Sequence, residues 1–299
     1  MKSNILLETG TGEVEILEFI INDQSYAINV IKTKEVVLLD KVTKIPDSNP
    51  AIAGLMMCRD EVLSLVDLSY IICGGYNLKK DAKVIICEFN QVKVAFIVDD
   101  VVAIHRITWE MITKPDTISA NSLVIGNIMK ENKVLQLLDF EKIVTDINPS
   151  TGISEEGMIG VEYKDRSKYK IMLADDSALI RKLLKETLLK AGFTNLIMFD
   201  DGKQALEHLL DIESKYGEDF TDRVQVLITD IEMPQLDGHT LTRKIKEHNV
   251  LKKLPIIIFS SLITDDLKHK GLSVGADAQL SKPDISTLVE TIDRLLENL

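Results

Sequence analysis

The sequence predicts two domains of different class, an all-β N-terminal half and a doubly wound α/β C-terminal half. Three observations carry this. The chain has 299 residues, about twice what one domain of roughly 100–200 residues needs. Its texture changes after residue 168, where short Val- and Ile-rich runs give way to alternating strand and helix patterns. Between the two textures, residues 148–168 mix Pro, Ser, Thr, Gly and charge with no hydrophobic period, and read as a linker. The predicted divisions are therefore 1–147, 148–168 and 169–299.

In the first half the candidate strands are residues 15–20, 25–30, 34–39, 61–66, 83–88, 93–98 and 133–138. Asn-Asp, Pro-Asp and Gly-Gly signals separate them. Phe89-Asn90-Gln91-Val92 reads as a hairpin turn. Strands this frequent suggest small antiparallel barrels or a sandwich.

In the second half, residues 170–174 read as a strand and Ser177 as the cap of a helix. Leu179, Ile180, Leu183, Leu184 and Leu188 have i, i+3, i+4 spacing, and Gly192 stands past the helix end. Strands at 196–199, 224–229, 256–259 and 278–281 then alternate with helices at 203–215, 238–247, 264–275 and 285–297. Five such pairs predict a parallel sheet covered on both faces. Its site should lie beyond the carboxyl ends of the strands, near a topological switch point.

Composition narrows the function classes. Hydrophobic residues are 45% and charged residues 27%, an ordinary globular balance. The net charge of −12 argues against coating phosphate backbones or anionic membrane. No apolar run approaches the ~20 residues of a membrane span, and the first ten residues do not read as a secretory signal. Cys58, Cys73 and Cys87 have no metal-binding spacing and read as buried, reduced thiols of a cytoplasmic protein. No internal repeat links the two halves.

Chemistry gathers at the predicted strand ends of the second half. The first strand ends in Asp175-Asp176, the third in Asp230, the fourth in Ser260-Ser261, and the fifth runs into Lys282-Pro283. Three converging carboxylates repel one another, and a hard cation such as Mg²⁺ relieves this. A carboxylate can attack phosphorus, and a nearby Lys can neutralise the transferred phosphoryl oxygens. Asp230 is the best nucleophile candidate, alone on the middle strand and facing both the acidic pair and Lys282. Taken singly, Asp-Asp is a helix-cap signal and Met233-Pro-Gln-Leu-Asp-Gly238 a turn. Their joint order at successive strand ends favours a site.

These motifs resemble the receiver domain of two-component response regulators. They are Asp175-Asp176, Asp230-x-x-Met233-Pro234-x-x-Asp237-Gly238, Ser260 and Lys282-Pro283. The resemblance implies a flavodoxin-like (βα)5 fold and phosphoryl transfer from a kinase phosphohistidine to Asp230. It implies Mg²⁺ held by Asp176 and Asp230, with Asp175 helping through water and the Glu232 carbonyl as a further ligand. Ser260 would take the Thr/Ser switch position and Lys282 that of the phosphate-contacting Lys. Receivers usually carry Tyr or Phe three residues before this Lys, and here the residue is Gln279.

The first half shows no catalytic constellation. His105 is its only His, and Thr9-Gly-Thr-Gly12 and Gly74-Gly75 are too short for phosphate loops. Its order resembles the CheW-type coupling domain of bacterial chemotaxis. The matching stretches are Phe19–Ile31 with Glu35-Val36, Gly54-Leu-Met-Met-Cys-Arg59, Leu65-Val-Asp-Leu68, Val94-Ala-Phe-Ile-Val-Asp-Asp100 and Leu137-Leu-Asp-Phe140. The resemblance implies two small, SH3-like five-stranded barrels that bind the chemotaxis histidine kinase (CheA-type) and the cytoplasmic tips of chemoreceptors. Glu35 and Arg59 match an acidic position and an Arg of the family that can pair, and an Arg is a common interface anchor. The family's Asn-Leu-Arg-Gly is Met57-Cys58-Arg59-Asp60 here. Leu55-Met56-Met57 is either adaptable partner surface or core.

A coupling domain followed by a receiver resembles the CheV arrangement. That implies a cytoplasmic adaptor, not an enzyme, regulated by phosphorylation at Asp230. The alternatives are a phosphate sink with a passive coupling domain and an Asp-nucleophile, Mg²⁺-dependent phosphatase. The phosphatase class needs Asp-x-Asp where this chain has Asp230-Ile-Glu232. A transcriptional regulator would need a helix-turn-helix module and a basic surface.

Overall fold

The computed structural model describes residues 13–77, 79–89, 92–114, 123–130, 133–148, 162–261, 265–282 and 284–297. Residues 9–12 and 149–161 lie outside this set, as does Pro283. The chain forms two compact units, taken in turn.

The first unit has eleven strands and two helices among its described residues. In order they are β1 (Glu13–Ile21), β2 (Gln24–Asn29), β3 (Thr33–Leu38), β4 (Ile52–Cys58), β5 (Glu61–Asp67), α1 (Leu68–Cys73), β6 (Lys83–Phe89), β7 (Val92–Val98), β8 (Asp100–Thr108), β9 (Ile112–Thr113), β10 (Val124–Lys130), β11 (Lys133–Leu138) and α2 (Phe140–Ile147). They form two sheets, ordered β8-β1-β2-β11-β10-β9 and β3-β6-β7-β5-β4. The second has the expected five strands. The first has six, because the two-residue β9 pairs with β10 through Ile128↔Ile112. The Phe89–Val92 hairpin is present in register.

The five-stranded sheet curls back on itself. Its outer strands are β3 and β4, yet Thr43, just beyond β3, exchanges both backbone hydrogen bonds with Leu55 of β4 at 2.8 and 2.7 Å. Gly54 makes this closure possible. Its φ is +150°, and a Cβ there would lie 2.4 Å from the Thr43 carbonyl oxygen, a distance no side chain tolerates. Pairing around the ring buries Met56, Leu65, Val84, Ile86, Ala95 and Ile97 as one core, with no exposed sheet edge left where Thr43 meets Leu55. Met57 points the other way and is exposed, so the Leu55–Met57 run is divided between core and surface by the strand alternation. A second core joins both sheets to the helices. Phe140 of α2 meets Phe96 and Phe19 edge-on, with centroids 4.6 and 5.9 Å apart.

A repeat lies inside this unit. Residues 52–72 and 124–144 each form a hairpin followed by a helix capped by Asp67 or Asp139. Gly54, Met57, Val62, Leu63, Leu65 and Asp67 recur 72 positions later as Gly126, Met129, Val134, Leu135, Leu137 and Asp139. In both hairpins the Met and Val are cross-strand partners, and both pairs are exposed.

The second unit contains β12 (Lys170–Ala174), α3 (Ala178–Ala191), β13 (Asn195–Phe199), α4 (Gly202–Tyr216), β14 (Val226–Thr229), α5 (Gly238–Glu247), β15 (Ile256–Ser260), α6 (Asp265–Ser273), β16 (Ala278–Ser281) and α7 (Ile285–Leu296). All five strands are parallel, in the order β13-β12-β14-β15-β16. Ser177 caps α3 by accepting from the Ile180 amide, and left-handed Gly192 ends it. The helices split between the faces. Leu184 and Leu188 of α3 and Ile285, Leu288 and Ile292 of α7 share one core, whereas Ala205 and Leu209 of α4 and Leu241 and Ile245 of α5 share the other. β14 and β15 are buried along their whole length, which is why they read as continuous apolar runs.

Within residues 162–168, Arg166 pairs with Asp293 of this α/β unit. One expectation needs correcting. The cysteines are unbridged, but only Cys87 is buried; Cys58 is half-buried and Cys73 exposed. Among the described residues, no helix is long and apolar enough to cross a membrane.

Candidate functional site

The sheet order places the site. From β12 the chain goes outward to β13, then returns to β14, the middle strand, on the other side of β12. Asp175 and Asp230 follow these two central strands directly, so their side chains meet at the switch point, where such sheets bind ligands. Asp175, Asp176 and Asp230 each bring a carboxylate oxygen within 4.8 Å of the others.

Lys282 enters from beyond β16. Its Nζ donates to Asp175 Oδ2 at 2.7 Å and to Asp230 Oδ2 at 2.9 Å. The lysine is 4% exposed, Asp175 2% and Asp230 8%. Burial raises the Asp175 carboxyl to about 6; Lys282 opposes this rise and the Asp230 charge adds to it. Two buried carboxylates sharing one ammonium, with Asp176 beside them, leave negative charge for a further cation. All the offered atoms are hard carboxylate oxygens, so the donor set suits Mg²⁺.

Local sequence explains the positions. The Asp175 Oδ1 accepts the Ser177 amide at 2.9 Å, and its carbonyl accepts Arg181 Nη1 at 2.6 Å. The Asp230 Oδ1 accepts the Ile231 amide at 2.6 Å. The other oxygen, Oδ2, faces Lys282. The Met233-Pro-x-x-Asp-Gly segment shapes the loop behind Asp230. Met233 is fully buried in the core under α4 and α5. Asp237 caps α5, accepting the Thr240 amide at 2.9 Å and its hydroxyl at 2.6 Å. A Cβ on Gly238 would lie 1.9 Å from the Asp230 carbonyl oxygen, so the glycine is required by close approach. Ser260 ends β15 and is buried. Its carbonyl accepts the Lys282 amide at 3.0 Å, which ties these two predicted residues through the backbone. Glu232 follows Asp230 by two residues on the same loop.

Gln279 lies on β16 opposite Ile258, outside the acidic cluster. Both polar atoms of its amide are buried with no hydrogen-bond partner among the described residues. They sit against Gly271 of α6, where a Cβ would be 2.1 Å from Oε1. His239, which the sequence reading passed over, is 2% exposed, with Nε2 unpartnered among the described residues. Arg181 was also missed, although its place in the first turn after Asp175 was a readable signal.

In the first unit the two singled-out residues do meet. Arg59 Nη2 lies 2.7 Å from Glu35 Oε2, and the Cys58 thiol reaches Glu35 Oε1 at 3.7 Å. Arg59 is the first residue of the two-residue β4–β5 turn, since Cys58 pairs with Glu61. Its φ is +54°, a conformation that favours glycine.

A buried carboxylate at the switch point of a 2-1-3-4-5 parallel sheet, with two acidic neighbours and a lysine, defines a receiver; a strand-rich, closed-sheet unit precedes it. The family models agree. Residues 15–148 match the CheW-like domain and residues 171–293 the response regulator receiver domain. The chain thus has the CheW-like-plus-receiver architecture of the CheV proteins. Chemotaxis protein CheV3 of Helicobacter pylori is 29% identical, covering 96% of each chain. CheV2 of the same organism is 27% identical, covering 91% of this chain and 90% of its own. Sensor histidine kinase CheAY of Helicobacter pylori is 27% identical over 77% of this chain and 28% of its own.

Proposed function

We propose that this chain is a cytoplasmic chemotaxis adaptor that joins chemoreceptor tips to a CheA-type histidine kinase, and whose coupling is regulated by phosphorylation of Asp230. The observation that carries the reading is the Lys282 ammonium shared by Asp175 and Asp230 beside Asp176. The CheV relatives, similar along nearly the whole chain, support the pairing of this chemistry with coupling.

The chemistry follows from the residues. Asp230 Oδ2 attacks the phosphorus of a kinase phosphohistidine, the O–P bond forms, and the P–N bond breaks with imidazole as leaving group. Lys282, already 2.9 Å from that oxygen, stays to bind a transferred phosphoryl oxygen. Asp176, Asp230 and the Glu232 carbonyl would hold Mg²⁺, with Asp175 supporting it, and the bound ion would supply charge to neutralise the phosphoryl group. The Ser260 hydroxyl bonds the phosphoryl group once it is in place. No external substrate is turned over, so the protein works as a switch rather than an enzyme. Glu35 and Arg59 form part of the coupling surface.

The test is co-sedimentation with receptor-containing membranes and the chemotaxis kinase, with and without Mg²⁺ and beryllofluoride. Binding that shifts with beryllofluoride in the wild type but not in Asp230→Asn supports the regulated adaptor. Binding indifferent to it makes the receiver a phosphate sink. Absence of binding overturns the coupling role.

A further inference from the structure

The segment that leads into the receiver is built into it. Arg166 is 4% exposed. Its Nε and Nη2 meet the two carboxylate oxygens of Asp293 on α7 at 2.7 and 2.6 Å, the bidentate geometry that a guanidinium favours. Nη1 donates to the carbonyls of Ala191 and Glu162, and the guanidinium carbon lies 5.2 Å from the Phe193 ring centroid. The backbone adds to the hold. The Lys164 amide donates to the Ala191 carbonyl at 3.3 Å. A Cβ on Gly192 would lie 1.9 Å from the Lys164 carbonyl oxygen, so the strap fits only over glycine. The Asp293 carboxyl is held below the usual carboxylate range, chiefly by its hydrogen bond to Arg166.

The other end of α7 reaches the acidic site. The helix begins at Ile285, three residues after Lys282, with Asp284 as its cap. Asp293 follows eight residues on, roughly 12 Å along a rigid rod at 1.5 Å per residue. Between the two ends, Ile285, Leu288, Val289 and Ile292 are packed in the core under the sheet. Lys282 thus stands three residues before one end of α7, and Arg166 is fastened near the other.

We infer that Arg166 is a positioning residue through which the phosphorylation state of Asp230 is passed, by way of Lys282 and α7, to the segment that joins receiver and coupling domain. A clamp that only completed the receiver fold would be indifferent to the state of Asp230. The inference rests on the proposed chemistry at Asp230 and adds its route outward.

Hydrogen exchange on the full chain, with Mg²⁺ with and without beryllofluoride, separates the possibilities. The Ser177 amide, bonded to Asp175, reports occupancy of the acidic site; the Lys164 and Tyr169 amides report the strap. In the wild type, exchange at the strap should change about fivefold or more with beryllofluoride, the low end of ordinary coupling, and not change in Asp230→Asn. In Asp293→Asn, which keeps the side-chain shape, Ser177 should still respond and the strap should not. Arg166→Lys, which keeps charge but loses the fork, serves as the second variant if Asp293→Asn fails to protect the β14 amides. A strap that is unmoved while Ser177 responds in the wild type overturns the inference, and so does a strap response that survives in the folded variants. If Ser177 itself does not respond, the chemistry at Asp230 fails and takes the inference with it.

Discussion

Lys282 and Asp230, both largely buried, stand 2.9 Å apart, and the same ammonium holds Asp175 at 2.7 Å. The lysine thus does two tasks. It offsets the charge of the Asp175 carboxylate, which burial raises to about 6, and it already stands beside the position a phosphoryl oxygen would take. Removing one partner from a buried ion cluster commonly destabilises by about 3–5 kcal/mol. Lys282→Met should therefore lower the stability of the metal-free protein by about 3 kcal/mol in urea unfolding. Saturating Mg²⁺ should restore part of that loss, since it supplies the missing positive charge. Phosphoryl accumulation from acetyl phosphate should fall by at least about tenfold, the loss of roughly 1.4 kcal/mol of transition-state stabilisation. Equal stability of variant and wild type without metal would contradict this account.

Gly238 tests how the loop places Asp230. A methyl at this position would press on the Asp230 carbonyl oxygen, 1.9 Å away, and that carbonyl also accepts the Thr229 hydroxyl at 2.9 Å. Backbone cannot yield as a flexible side chain can. Gly238→Ala should cost about 2 kcal/mol or more, in the range of overpacking a filled core, and should reduce phosphoryl uptake although no site side chain is altered. Uptake at the wild-type rate would show that the loop adjusts freely.

Much of this site was legible because its signals are local. Asp175, Asp230 and Lys282 each follow a strand of four or five residues, and Ser260 ends one; fully buried strands advertise themselves as apolar runs. The Arg166–Asp293 pair was not legible, since 127 positions separate its members and nothing local marks either. In the first unit, β4, β8, the two-residue β9 and β10 escaped the sequence reading. β4 and β10 each carry a glycine, which weakens strand propensity, and pairing within the sheet overrides that deficit. β8 alternates exposed and half-buried positions behind Asp99-Asp100, which reads as a breaker. The 72-residue repeat was hidden because its shared residues are mostly ordinary Leu, Val and Met, recognisable only once both hairpins are aligned by register.

Arg59 separates stability from function in the first unit. Its left-handed backbone costs an L-residue about 1 kcal/mol, and its ion pair with Glu35 is exposed on the arginine side, worth about 0–1 kcal/mol. Arg59→Gly relieves the first and forfeits the second. Its unfolding free energy should therefore lie within about 0.5 kcal/mol of wild type. Co-sedimentation with kinase and receptor membranes should nonetheless weaken about tenfold, as for loss of an arginine anchor of roughly 1.4 kcal/mol. Unchanged binding would remove Glu35 and Arg59 from the coupling surface.

His239 gives the receiver a specific acid sensitivity. Burial lowers its imidazole to about 4, with Lys270 adding to the fall and Asp237 and Asp230 opposing it. A histidine whose folded value lies below its free value of about 6.5 contributes stability that is complete above that pH and lost as pH falls towards 4. Across that window wild type should lose stability relative to His239→Gln, with a limiting slope of about 1.4 kcal/mol per pH unit. Above pH 7 the difference between the two should be flat. Parallel unfolding curves from pH 7 to pH 4 would mean that the imidazole is free to charge.

Gln279 is a different kind of burden, a neutral one. Its amide oxygen and nitrogen are both shut off from solvent, unpartnered among the described residues, and pressed against Gly271. A buried donor or acceptor without a partner costs about 1–3 kcal/mol, whereas an apolar group of the same shape costs nothing of the kind. Methionine matches the length and flexibility of glutamine and fills irregular space well. Gln279→Met should therefore raise the unfolding free energy by about 1–2 kcal/mol. Phosphoryl uptake at Asp230 should stay at the wild-type rate, because Gln279 lies outside the acidic cluster. The beryllofluoride dependence of kinase binding is the informative readout. If the unsatisfied amide exists to keep α6 able to move, the more stable variant should bind with less response to beryllofluoride, trading responsiveness for stability. A variant that is stabilised and fully responsive would place the output of the switch away from α6; one that is destabilised would show that the amide has a partner after all.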